Sequence, residues 1–181
     1  IPQNIISRKY AGGLSGYLGY DAMQYFEPSL TLKANDDFDT FRFGLYKDGL
    51  ILDKMTGEVT YFYYDNSRYE FLQTLIDADD EPAGPLKITA LGDTMSQAEH
   101  AEAVAKVKRD IIDGKVFQCE VGFKKRFSIK GDALALYDQL RTINPSPQMY
   151  YVKFGEQKLI GASPELLFRL RQGEMETFPL A

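Results

Sequence analysis

The residues able to do chemistry in this chain are few. One histidine, His100, falls in the first turn of a helix pattern, and one cysteine, Cys119, in an alternating strand pattern. A single His and a single Cys make neither a Ser/His/Asp relay nor a Cys/His metal centre. A histidine in a first helical turn reads as a solvated group, and His100 is given no role. Carboxylates are plentiful, yet no Glu-x-x-Glu or Glu-x-x-His run sets a metal pair on one helix face. Gly13, Gly16 and Gly19 recur every three residues but lack both the G-x-G-x-x-G order and a following helix. They read as a strand lying close to another backbone, not as a phosphate cradle. What remains is a shape. Asn144-Pro-Ser-Pro147 fixes φ at two prolines and removes two donors, giving a rigid corner suited to wall a small ligand. Its plainer reading is a proline-broken loop between a helix and a hairpin. Gly161-Ala-Ser-Pro-Glu165 puts small residues and a proline into an apolar strand pattern, which signals close backbone approach or a bulge.

Composition sets the bounds. With 44% hydrophobic and 26% charged residues in 181, the chain suits one globular domain, or one lobe of something larger. A net charge of −5 without any Lys/Arg block argues against nucleic acid and against an anionic membrane surface. A lone cysteine excludes an internal disulfide and fits a reducing compartment, so the cytoplasm is the default location. No apolar run is long enough to span a bilayer. Ile1 at the start, and a strand-like pattern still running at Phe178-Pro-Leu-Ala181, lead us to expect a fragment.

The elements that must position these residues are legible in part. Ala11–Tyr20 reads as the glycine-rich strand, and Asp21–Pro28 as a core-covering turn through Met23, Tyr25 and Phe26. Asn35-Asp36-Asp37 is a polar break. Strands over Phe38–Tyr46, Leu50–Met55 and Glu58–Tyr64, with turns at Asp48-Gly49 and Thr56-Gly57, predict an antiparallel meander. A short helix over Ser67–Ile76 is followed by an acidic, proline-bearing linker over 77–95. Ser96-Gln-Ala-Glu99 is a capping box, and Ala101, Val104, Val107 and Ile111 form the apolar stripe of a helix that Gly114 ends. Lys115–Phe127 alternates as a strand, with Phe117, Cys119, Val121 and Phe123 on the packed face and Gln118 and Glu120 on the polar one. A second such helix starts at Gly131-Asp132 and stops at Pro145. After the corner come a short strand Val152–Phe154, a turn at Gly155-Glu156, and a hairpin of Leu159–Leu170 with Met175–Leu180. The class is α+β: sandwich-like antiparallel sheets with two or three helices packed on them.

Five runs in order carry a resemblance: Gly12-Gly-Leu-Ser-Gly-Tyr-Leu-Gly-Tyr-Asp21, Gly114-Lys-Val-Phe-Gln118, Asn144-Pro-Ser-Pro-Gln-Met-Tyr-Tyr151, Gly161-Ala-Ser-Pro-Glu165 and Pro179-Leu-Ala181. Together they resemble the anthranilate synthase large subunits of the chorismate-utilising enzymes, from Gly12 to the last residue. The resemblance implies a lyase of tryptophan biosynthesis that adds ammonia, delivered by a glutamine amidotransferase subunit, to chorismate and releases anthranilate and pyruvate. It also implies Mg²⁺, with ligands and the acid for the leaving hydroxyl expected beyond residue 181, so this piece alone should be inactive. In the substrate pocket it places Gln118 where water-adding relatives carry a Lys base, and Ala181 where relatives making 4-amino-4-deoxychorismate carry a Lys nucleophile. Gln accepts no proton near neutral pH and Ala offers no nucleophile, which favours ammonia attack giving anthranilate. It identifies Pro147, Gln148 and Met149 as half of a feedback site for L-tryptophan, with Gln148 standing where a Tyr is common. The alternatives are the 4-amino-4-deoxychorismate-forming paralogue and a regulatory or interaction lobe without chemistry.

Overall fold

The computed structural model describes residues 12–33, 37–78, 84–171 and 173–179. The chain divides into two compact units, Ile1–Glu81 with Phe154–Glu156, and Pro82–Lys153 with Gln157–Ala181. The class is α+β, with strands joined in antiparallel pairs and three α-helices among the described residues. Among the described residues the sheets are five two-stranded pairs.

In the first unit, β1 (Gly13–Leu18) pairs antiparallel with β2 (Phe41–Tyr46), Gly16 opposite Phe43. A Cβ on Gly16 would lie 2.0 Å from the Arg42 carbonyl oxygen. The glycine spacing thus serves the close backbone approach it signalled. A 3₁₀ turn follows at Tyr20–Tyr25, and its Asp21 and Ala22 are the buried residues among those described. Asp21 accepts from the Thr40 hydroxyl at 2.9 Å, while Gly19 N–H donates to the Thr40 carbonyl at 2.7 Å. Met23, Tyr25 and Phe26, read as the core-covering side chains of this turn, are exposed instead. Of the polar break, Asn35 and Asp36 lie outside the described residues.

The meander is corrected. β2 is taken by β1, and β3 (Asp48–Leu52) pairs with β4 (Val59–Tyr63), so Asp48 and Gly49 are strand residues facing Tyr63 and Phe62. The reason is a partner far along the chain. Asp48 receives both arms of the Arg68 guanidinium, at 2.7 and 2.6 Å, plus the Tyr61 hydroxyl at 3.1 Å. The Arg68 hydrogen bonds, more than anything else, hold the Asp48 carboxyl below its ordinary range. Thr56-Gly57 does turn β3 into β4, with Gly57 at φ +74° and its N–H on the Asp53 carbonyl at 2.7 Å. Helix α1 (Tyr69–Ile76) begins beside the Arg68 clamp.

In the second unit, part of the 77–95 stretch is strand. β5 (Lys87–Asp93) pairs with β6 (Lys125–Lys130), while 79–83 lie outside the described residues. The helices follow their signals. α2 spans Gln97–Ile112 behind a complete Ser96/Glu99 capping box, with Gly114 at φ +73° past its end. α3 spans Ala133–Ile143, and the Asp132 side chain accepts from Leu134 N–H. β7 (Gln148–Phe154) turns at Gly155-Glu156 into its neighbour β8 (Gln157–Ser163). The run expected to continue to Leu170 breaks at Pro164, beyond which β9 (Leu166–Arg171) and β10 (Glu174–Phe178) form their own hairpin. A proline N supplies no ladder hydrogen bond, which suits the break.

Candidate functional site

The segment 115–124 between α2 and β6 is irregular, not the strand its alternation suggests. Phe117, expected on a packed face, is 93% exposed. Apolar alternation needs a neighbouring strand to become a ladder, and β6 begins only at Lys125, where β5 supplies one. The segment is a strap tied at one end to the C-terminus of α2 and at the other to Thr94, ahead of that helix. At the C-terminus of α2, the Lys115 ammonium sits 2.8 Å from Asp110 and 3.2 Å from Asp113, and Lys115 N–H reaches the Asp110 carbonyl at 2.9 Å. The hydrogen bond to Asp110, then that to Asp113, raises the Lys115 pKa, and the same ammonium lowers that of Asp110. At the other end, Thr94 N–H donates to the Lys124 carbonyl, and Lys124 N–H to the Thr94 hydroxyl, both at 2.9 Å. Gln118 and Cys119 ride between these anchors, both exposed.

His100 is the residue that sequence reasoning missed. It is half-buried, its Nε2 is 3.1 Å from the Val121 carbonyl, and its ring meets Phe123 edge-on at 5.6 Å. Only its place immediately before Ala101, the first position of the apolar stripe of α2, on a helix followed by the strap, could have pointed there; first-turn position alone suggested solvent.

The proline corner is as expected in outline. α3 ends at Ile143, Asn144 N–H bonds the Leu140 carbonyl at 2.8 Å, and Asn144–Pro147 carry no regular structure. Pro147 and Gln148 are exposed, and Met149 is half-buried at the start of β7. The strand is set against α3 by Tyr137 and Tyr151, edge-to-face at 6.1 Å. Behind Met149, the Tyr150 ring lies so close over Gly161 that a Cβ there would fall 2.3 Å from it. The close approach read from Gly161-Ala-Ser-Pro-Glu165 is therefore an aromatic ring over a glycine. Gln118 and Pro147–Met149 stand on separate elements of one unit, and Ala181 lies outside the described residues. The described residues hold no group of three or more His, Cys, Asp or Glu able to bind a metal ion. No helix among them is long and apolar enough to cross a membrane.

Known proteins place this arrangement. The chain is 44% identical to anthranilate synthase component 1 of Leptospira biflexa over 98% of its own length and 39% of the relative's. It is 36% identical to the component 1 of Methanothermobacter thermautotrophicus over 97% of the chain and 37% of that protein. The chain thus spans about two-fifths of the length of these curated relatives. Its fold matches the crystal structure of anthranilate synthase component I from Streptococcus pneumoniae TIGR4 with a TM-score of 0.78, at 22% identity, over 96% of this chain and 43% of that one. With residues 2–181 matching the chorismate binding enzyme family, the chain belongs to that family.

Proposed function

We propose that this chain is part of an anthranilate synthase component I, a lyase converting chorismate and ammonia to anthranilate, pyruvate and water. The observation that carries the reading is the 44% identity to such a component through 98% of the chain. Gln118 adds to it: an exposed carboxamide, held out on the strap, that makes no side-chain hydrogen bond among the described residues. Ammonia brings its own lone pair, whereas water requires a base to become a competent nucleophile, and a carboxamide is not one. Gln118 thus leaves water unactivated. Mg²⁺ would neutralise the dianionic substrate, with ligands beyond residue 181. Further parts of the proposal are ammonia supply by a glutamine amidotransferase subunit, feedback by L-tryptophan at Pro147, Gln148 and Met149, Ala181 as a non-nucleophilic pocket residue, and a cytoplasmic setting. Product analysis of the full-length protein with chorismate, Mg²⁺ and ammonia tests the central reading. Anthranilate and pyruvate are expected; 4-amino-4-deoxychorismate, isochorismate or no product would overturn it.

A further inference from the structure

The strap has an anchor whose removal would free the residue it presents. From Lys115 the chain runs without helix or strand to Lys124, and the first side chain to hold it after Gln118 is His100, bonded to the Val121 carbonyl at 3.1 Å. A carbonyl only accepts, so Nε2 carries the proton. The Phe123 ring, edge-on at 5.6 Å and 75°, fixes the plane of the imidazole and hence the direction of that N–H. The remaining tie, between Thr94 and Lys124, lies where the β5–β6 ladder already closes the chain. Without the His100 bond the untethered span lengthens from residues 116–120 to residues 116–123, and the next anchor after Gln118 moves from Val121, three residues on, to Lys124, six residues on.

We infer that His100 is a positioning residue: its Nε2–H holds the Val121 carbonyl and thereby sets the strap on which Gln118 meets the substrate. The inference rests on the proposed function, in which Gln118 lines the chorismate pocket. His100 acts through the strap and touches no reacting atom. A purely structural His100 would act through its ring, by packing on Phe123; a positioning His100 acts through its donor.

Two variants of the full-length protein separate these roles. His100→Phe keeps an aromatic ring and loses the donor, whereas His100→Gln keeps an amide N–H near the Nε2 position and loses the ring. Three measurements apply: hydrogen–deuterium exchange over peptides covering 115–124, kcat and KM for chorismate with ammonia, and the melting temperature. In His100→Phe the strap amides should exchange faster and kcat/KM should fall about tenfold, the effect of losing one hydrogen bond from a positioned group, with an unchanged melting temperature. His100→Gln should restore both to within about threefold of the parent. Wild-type exchange and turnover in His100→Phe would overturn the inference. So would a loosened strap with unchanged turnover, or loss of activity in both variants in step with a lowered melting temperature. If the parent protein makes no anthranilate, the proposed function fails, while the exchange measurement still reports whether His100 holds the strap.

Discussion

Gln118 shows how one side chain can exclude a reaction by what it lacks. In the full-length protein, Gln118→Lys places a potential base beside the ring, and amination should fall with some water addition appearing in its place. Unchanged anthranilate formation would put Gln118 outside the pocket, in keeping with its exposed position. Gly16 makes the complementary point, since what matters there is a missing Cβ. Gly16→Ala would drive a methyl to within 2.0 Å of the Arg42 carbonyl oxygen. The β1–β2 pair should then lose about 1–3 kcal/mol by overpacking. Gly84→Ala, at a position with open space around it, should leave urea midpoints unmoved. Met149, half-buried beside two exposed residues of the corner, tests the tryptophan proposal. Met149→Ala should weaken inhibition by L-tryptophan roughly five- to thirtyfold while sparing uninhibited turnover. A lower melting temperature with an unshifted inhibition constant would leave Met149 as a packing residue only.

Among the elements, α2 is the one whose local chemistry is complete. Glu99 accepts from Ser96 N–H at 2.8 Å and from the Ser96 hydroxyl at 2.7 Å, while Glu99 N–H returns a bond to Ser96 Oγ at 3.2 Å. The backbone donor first, then the hydroxyl, lowers the Glu99 pKa from its ordinary 4.5. A carboxyl whose pKa is lower folded than unfolded stabilises the fold fully above the unfolded value and loses that contribution as pH falls through the folded one. Ser96→Ala should therefore cost about 1 kcal/mol near neutral pH, through the lost cap. The deficit should narrow as pH drops below about 4.5, where the charge-assisted part has gone from both proteins. Urea unfolding of parent and variant at neutral and acidic pH checks this; a deficit that is flat with pH would show that the bond from the Ser96 hydroxyl to the Glu99 carboxylate contributes nothing. The same helix supplies the strap with Lys115 anchors at one end and His100 at the other, so loosening its N-terminal turn bears directly on where Gln118 stands.

At the scale of the molecule, the described residues carry polar and shape-giving groups but no metal-capable cluster, and the chain spans about two-fifths of its relatives. Many strand side chains that would line a core are uncovered, among them Leu14, Phe43, Leu45, Phe127 and Leu170, and only Asp21 and Ala22 are buried among the described residues. Two-stranded pairs are marginal alone and need a further apolar layer. The isolated 181-residue chain should accordingly give no detectable anthranilate with chorismate, Mg²⁺ and ammonia, whereas the full-length protein should. Turnover by the purified piece would show that the groups needed for the reaction are already within it.

What the sequence by itself determined is what lies within a few residues along the chain. The Ser96/Glu99 box, the Asp132 cap, Gly114 and Gly57 at positive φ, and the Pro145 stop were all legible, because each rests on contacts that span one helical turn or one tight turn. The Gly16 close approach was legible too, since the absence of a side chain is visible without knowing the partner. The order of the five motif runs also pointed to the family that the match over residues 2–181 shows. Only the tertiary structure decided which strands pair. Asp48-Gly49 reads locally as a hairpin turn, but Arg68 claims the Asp48 carboxylate and β1 claims β2, so the dipeptide enters a strand. Lys115–Phe127 reads locally as one strand, but its first ten residues find α2 beside them instead of a ladder. His100 gained its place in the same way. A strand's hydrogen bonds and a side chain's burial are set by whatever the fold brings alongside, and that neighbour lies far off in sequence.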